Sequence, residues 1–262
     1  MMLSVHIFIQ FFRRDLYIHT KKWQRYLINY TLIYPVIFTF LTSYLQANTY
    51  FGEGNSRMGT ILASGNIVVM VMVFTFVQNI DLLFDLENKR YIDYQIIILN
   101  PLLVLIERIL FISLLCFVLV APYYPIAKLF LPSYIDTSNT NWLGVMLIIY
   151  FGSLACSAYH LMATCMLKNA NSITSLWKRY NSPMIDFGGM WVPWFILYKF
   201  SPMLGTLAYL NPLMYFSDGI KQALIGGPEF FSIAVCIPML ALFSIVFTII
   251  AFFVFKKRVD CL

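Results

Sequence analysis

Charge is scarce in this sequence. Asp, Glu, Lys and Arg make up 11% of the 262 residues and hydrophobic residues 60%, whereas a soluble domain carries about 25% charged residues. That shortage excludes an ordinary soluble globule. The phosphate loop G-x-x-x-x-G-K-[ST] is missing, which excludes ATP binding by this chain through a Walker motif. H-E-x-x-H and G-x-S-x-G are missing too, and no series of acids suited to a proton relay lies in the apolar stretches. Cys116, Cys156, Cys165, Cys236 and Cys261 have neither metal-ligand nor redox spacing, and the first four read as buried apolar side chains. Of the three histidines only His160 falls in an apolar run, with no carboxylate or cysteine at ligand spacing. Helix packing or an interhelical hydrogen bond is the expectation for it. Repeats, low-complexity linkers and loops long enough to fold alone are also lacking, so residues 1–262 read as one domain.

What the sequence has is long uncharged runs. Six stand out: Tyr26 to Gln46, Met58 to Ile80, Ile109 to Ala127, Trp142 to Leu167, Phe187 to Tyr198 and Phe230 to Phe255. A span needs about 20 apolar residues, so five qualify. The fifth run is marginal and reaches back to Pro183 only if Asp186 is admitted. Ser182-Pro183 reads as an N-cap with proline at the first helical position, which places Asp186 in a first turn favoured by the helix dipole. Backbone in lipid must satisfy its own hydrogen bonds, so the fold class is all-α with six transmembrane helices. Residues 1–25 lack an apolar core followed by a small-residue cleavage site, and are expected to stay in the mature chain.

The basic residues set an orientation. With the amino terminus inside, inner segments hold 14 of the 18 Lys and Arg residues and outer segments only Arg57, Lys128, Lys199 and Lys221. Both termini are then cytoplasmic, and the net charge of +6 answers to anionic lipid rather than nucleic acid. Trp23, Tyr26, Trp177 and Tyr180 fall at inner boundaries, and Tyr50, Trp142, Trp194 and Tyr198 at outer ones, as interfacial belts do.

Three stretches interrupt the pattern. In residues 1–25, Val5, Phe8, Ile9, Phe12, Leu16 and Trp23 recur at helical spacing, with Arg14, Lys21 and Lys22 off that stripe. This predicts an amphipathic helix in the inner interface, either an anchor or a docking element. Residues 81–101 carry Asp81, Asp85, Glu87, Lys89, Arg90 and Asp93 between two apolar runs. Residues 201–229 are moderately apolar but broken by Pro202, Pro212, Gly226, Gly227 and Pro228. Their pieces are too short to span, which predicts an outer re-entrant helical hairpin between spans five and six.

The order of these features resembles the membrane-spanning permease subunits of type 2 ATP-binding cassette exporters. Glu87-Asn88-Lys89-Arg90-Tyr91 followed by Ile98-Leu99-Asn100-Pro101 is similar to that family's loop between spans two and three, with Tyr91-Ile92 replacing its glycine-threonine-like pair. Gly189, Pro193, Pro202, Asn211-Pro212, Asp218, Lys221 and Gly226 are similar to its outer segment, with lysine in place of the commoner arginine. The resemblance covers essentially the whole chain and implies an exporter subunit for lipids, drugs or lipid-linked glycans. It implies a homodimer or a heterodimer with a similar permease, in the bacterial inner membrane, with separate ATPase subunits that bind the ATP and magnesium. This chain then holds no cofactor and is no enzyme.

On that resemblance Asp85, Glu87, Lys89, Arg90 and Tyr91 form a coupling helix against the ATPase, with Ile96 to Leu99 held against the membrane domain. Phe8, Phe12, Arg13, Arg14 and Leu16 form the interface helix. Asn211, Pro212, Asp218 and Lys221 belong to the re-entrant region. Phe74, Phe76, Trp191 and Phe195 are candidates to line a path on the dimer faces of spans two and five, or else to meet lipid or core. Two other classes stay open: a self-contained lipid-modifying membrane enzyme using Asp81, Asp85, Glu87 and Asp93 as metal or phosphate ligands, and a membrane assembly scaffold.

Overall fold

The computed structural model describes residues 2–46, 48–49, 56–88 and 92–260. Every regular element among them is helical. Five helical stretches are long and apolar enough to cross a membrane: Trp23–Gln46, Ser56–Leu86, Pro101–Phe130, Trp142–Met166 and Ile233–Arg258. Such a chain is an integral membrane protein.

We label the helices α1 (Met2–Thr20), α2 (Trp23–Gln46), α3 (Ser56–Asn88), α4 (Ile92–Ile98), α5 (Pro101–Val120) and α6 (Tyr123–Phe130). There follow α7 (Trp142–Met166), α8 (residues 170–186), α9 (Trp194–Phe200), α10 (Pro202–Leu207), α11 (Pro212–Ile225) and α12 (Ile233–Asp260). At the centre stand α3 and α7, with α5, α11 and α12 around them. Ile67, Val71, Phe74, Ile148, Ile149 and Leu119 have no exposed surface.

In α2 the backbone hydrogen bonds run to the fifth residue over Leu27–Ile33 and Thr39–Gln46. That wider turn lines up residues four apart, and the sequence carries two such rows. Thr31, Pro35, Thr39 and Ser43 are all buried; Thr31 donates to the Leu119 carbonyl at 2.9 Å and the Thr39 and Tyr123 hydroxyls meet at 3.2 Å. Pro35, which has no N–H to donate, falls between the two wide-turn stretches. The second row is Tyr26, Tyr30, Tyr34 and Phe38. Tyr30 stacks on Tyr34 and Tyr34 on Phe38, at 5.4 and 5.3 Å with ring planes 7° and 10° apart.

The fifth apolar run does not become one helix. Instead α8 begins well before it, remains helical through Ser182 and Pro183, and ends at Asp186. A wide turn at Trp177–Asn181 just precedes Pro183 and accommodates its missing donor. Ser182 is therefore not an N-cap, and Asp186 closes a helix rather than opening one. Beyond it Gly189 takes φ +73°, a left-handed conformation that glycine adopts without strain, and the chain turns before restarting at Trp194.

The fourteen-residue α11 runs antiparallel to the first half of α7. Its Ala223 carbonyl accepts from the Asn141 amide at 2.7 Å. Further along, Phe216 lies so close over Gly152 that a Cβ there would be 2.4 Å from its ring. Residues 141 to 152 of α7 span roughly 16 Å at 1.5 Å per residue, so α11 covers at least about that much of α7. Side-chain contacts mark two ends. At one, the basic end, Arg108 joins the foot of α3 to the start of α5 and Arg258 joins the ends of α12 and α7; at the other Asn141 meets Ala223.

Candidate functional site

The most heavily built polar site lies where the Gly188-Gly189-Met190 turn is held by α11. Pro212 opens α11 with its fixed φ, and Asn211 caps it, accepting from the Leu213 amide at 3.0 Å. The Asn211 side-chain amide also donates to the Met184 carbonyl at 2.7 Å, near the end of α8. One face of α11 then presents Ser217, Asp218 and Lys221, all with 0% exposure. Lys221 Nζ donates to the Gly189 carbonyl, to Ser217 Oγ at 2.8 Å and to Asp218 Oδ1 at 3.3 Å. Ser217 Oγ donates to the same Gly189 carbonyl at 2.8 Å. The other carboxylate oxygen, Asp218 Oδ2, is buried with no hydrogen-bond partner among the described residues. On its other side the turn meets α3, where the Met190 carbonyl would stand 2.4 Å from a Cβ on Gly65. A buried ammonium must be paired and hydrogen-bonded to persist. Here one acceptor, the Gly189 carbonyl, comes from the turn and two, Ser217 Oγ and Asp218 Oδ1, from α11 itself, so the cation ties the turn to α11.

A second polar cluster joins three helices. His160 Nδ1 meets the Thr75 hydroxyl at 2.9 Å, and the Asn181 side-chain amide meets His160 Nε2 at 3.3 Å. The Tyr159 hydroxyl donates to Asn181 Oδ1 at 3.1 Å. His160, Thr75 and Asn181 are all buried. This is the interhelical hydrogen bonding expected of His160, and it ties α8 to α3 and α7. Phe76 packs 5.0 Å from Trp177 and 5.5 Å from His160.

At the basic end, Arg108 Nη2 donates to Asp85 Oδ2 at 2.8 Å, clamping the foot of α3 to α5 on either side of α4. Arg258 donates to the Leu167 carbonyl at 2.6 Å, closing the C-terminus of α7. Lys89, Arg90 and Tyr91 lie outside the described residues, as does the side chain of Glu87. Of the remaining coupling residues, Ile96 is partly buried and Leu99 is 3% exposed, but Ile97 is 85% exposed. With about 100° per residue, a helix this short presents only positions three apart to one surface, so Ile97 and Ile98 point away from the membrane domain.

The face of α1 that meets α5 carries Phe8, Phe11, Phe12 and His19; Phe12 and Phe111 meet edge to face at 5.5 Å. Arg14 pairs with Asp15 at 2.8 Å and lies over the Phe11 ring. Ile9, Leu16 and Tyr17 are exposed, together with Arg13. The apolar stripe read from the sequence thus splits, one part against α5 and one part outward.

Sequence reasoning passed over Glu107. It is 1% exposed, and neither carboxylate oxygen has a hydrogen-bond partner among the described residues. Nearby Arg14 and Arg108 are paired with Asp15 and Asp85. A lone acid seven residues into a strongly apolar helix was the available signal.

The four aromatic residues named for a path are not brought together. Phe74 is fully buried against Tyr26 and Tyr30, at 6.0 and 4.9 Å. Trp191 is 38% exposed beside the glycine turn. Phe195 packs 6.1 Å from Phe230 in a pocket of about 380 Å³, shared with the Arg57–Glu229 ion pair. The exposed surface is unevenly divided as well. In its most apolar window α3 is 78% buried, whereas α2 and α12 are only 28% and 17% buried. Among the described residues no three His, Cys, Asp or Glu side chains gather as a metal site. Compared with protein-family models, curated proteins and solved structures, the chain matches none.

Proposed function

We propose that this chain is the permease subunit of an ATP-driven exporter, working as a dimer with separate ATPase subunits to move a lipid, drug or lipid-linked glycan outward. The supporting observation is the arrangement at the basic end. A short separate helix, α4, stands between the two long apolar helices α3 and α5, with Ile97 turned outward and Leu99 turned in. The Asp85–Arg108 pair braces the feet of those two helices, so a push on α4 reaches both. The chain carries no phosphate loop of its own, and a handle of this kind lets a partner's ATP-driven closure act on it.

The rest of the architecture is consistent with six crossings. Residues 170–200 supply the fifth as a broken crossing, α8 followed by the glycine turn. Within residues 201–229 the short α10 and α11 then dip into the outer leaflet and return without crossing. In this reading the basic end is cytoplasmic, with α1 in the inner interface.

Co-expression with a Walker-motif ATPase encoded beside this chain tests the proposal. The ATPase should copurify, and reversing Glu87 and Arg90 together should abolish the association while the permease stays folded. A purified chain active on lipid with no ATPase present would overturn it.

A further inference from the structure

Most polar side chains of α2 are turned inward or capped on their own helix. Thr31 and Thr39 bond to α5 and α6, and Thr42 donates to the Phe38 carbonyl at 2.7 Å. Tyr26, Tyr30 and Tyr34 differ. Each is half-buried, and each hydroxyl reaches the surface without a hydrogen-bond partner among the described residues. Tyr34 stands in the middle third of a 24-residue helix apolar enough to cross a membrane, and Tyr30 at the edge of that third. A hydroxyl without a partner in hydrocarbon is costly, and one at an aqueous surface is not. The neighbouring face of α2 behaves oppositely. Ile28, Leu32, Ile37 and Leu41 are 46–50% exposed and carry nothing to hydrogen-bond, which suits lipid. So α2 presents two surfaces, an aliphatic one and a tyrosine one.

We propose that the tyrosine row of α2 faces a water-filled path through the membrane, and that the path takes solutes bearing hydroxyl or similar hydrogen-bonding groups along an apolar body. The proposal rests on the permease function above and narrows its substrate class. Because Tyr30, Tyr34 and Phe38 stack face to face and Tyr30 also packs on the buried Phe74, the hydroxyl ends are what a solute meets. A phenol both donates and accepts. Rows four residues apart repeat about every 6 Å along the axis, a file of equivalent weak sites that a solute can enter and leave stepwise.

The test uses the full chain with its five cysteines replaced by serine or alanine, in native membranes, and single variants Tyr30→Cys, Tyr34→Cys and Leu32→Cys. The probe is a membrane-impermeant, permanently charged methanethiosulfonate. The thiolate, which forms in water and not in lipid, attacks its thiosulfonate sulfur, forming a mixed disulfide and releasing methanesulfinate, so Tyr30→Cys and Tyr34→Cys should react about ten times faster than Leu32→Cys. Sub-micellar octyl glucoside should slow the reaction at position 34 several-fold, and octane should not. Equal rates at positions 32 and 34 would overturn the water-filled path. Protection by octane, or by neither probe, would overturn the substrate class.

A second variant pair, Tyr30→Phe and Tyr34→Phe, keeps the ring stack and removes only the hydroxyls. It should fold as the parent does and lose the octyl glucoside protection measured at the other position. The two proposals fail separately. Lost ATPase association with retained labelling strikes the permease function alone, and retained association with unlabelled tyrosine positions strikes the path alone.

Discussion

Replacing Lys221 with methionine keeps the apolar stem of the side chain and removes the ammonium. Three hydrogen bonds disappear, to the Gly189 carbonyl, Ser217 Oγ and Asp218 Oδ1. The Gly189 carbonyl keeps its bond from Ser217, so that acceptor is not orphaned. The large cost falls on Asp218, whose carboxylate stays at 0% exposure with its cation gone. Removing one partner of a buried pair costs about 3–5 kcal/mol. Removing both charges, as in Lys221→Met with Asp218→Leu, takes away the stranded carboxylate as well as the pair, and such replacements are often neutral. The double variant should therefore lie closer to the parent than the single one does, with a coupling of about 2 kcal/mol or more. Reversible unfolding in mixed micelles titrated with dodecyl sulfate measures this. Tryptophan fluorescence is the readout, since Trp191 and Trp194 flank the turn. A single-variant cost under about 1 kcal/mol, or costs that simply add, would refute the clasp.

Gly189→Ala should also loosen the turn. Its φ of +73° and a Cβ placed 2.6 Å from Met214 Sδ are both unfavourable, and the left-handed backbone alone costs about 1–2 kcal/mol; the same titration reads it. Asn211→Ala removes a helix cap and the Met184 bond together, so a loss of about 1–2 kcal/mol is expected, with limited proteolysis between α10 and α11 as a local readout. Asp85→Asn breaks a pair whose acid is 31% exposed, so thermal stability should fall by less than about 1 kcal/mol, while ATPase coupling, measured as stimulated turnover, should fall much further. Asp136 accepts from the Ser138 amide and hydroxyl at 2.9 and 2.7 Å, which holds its carboxyl below the usual range. A depressed acid stabilises above its unfolded value and loses that contribution as pH falls through the folded one. Hydrogen exchange in the loop between α6 and α7 should therefore quicken only on acidification below the ordinary aspartate range, and Asp136→Asn should abolish that dependence.

Long uncharged runs made the helical class and the five helices long enough to cross a membrane legible, because lipid leaves the backbone few options. The fifth run misled for a local reason. Composition counts Gly188 and Gly189 as neutral, but a positive φ ends a helix whatever its hydropathy. Ser182-Pro183 looked like a helix start because a wide turn upstream, which has no simple sequence signature, was needed to carry the helix through the proline. Asp218 and Lys221 stand three apart on a plausible helix and were visible as a pair, yet their complete burial follows from a turn thirty residues earlier. The charges between Asp85 and Tyr91 point to a short helix there, but Asp85 and Glu87 belong to the end of α3 and the short helix runs Ile92–Ile98; that Ile97 faces outward could not be read, since an isoleucine run has no periodicity. The fourfold rows of α2 were present in the letters, hidden by the assumption of a 3.6-residue turn.

The clasp around Lys221 also constrains the order in which the chain is made. An ammonium settles among apolar helices only where its acceptors stand together, and these are Ser217 and Asp218 of α11 and the Gly189 carbonyl of a turn that α3 backs. The nascent chain therefore meets a checkpoint. Residues up to Asp186 can insert as independent apolar helices, but residues 188–225 are homeless until synthesis reaches Lys221, and α12 then seals them in. A chain truncated within α11 should be left with an unpacked outer half, marked for degradation by its own missing cation.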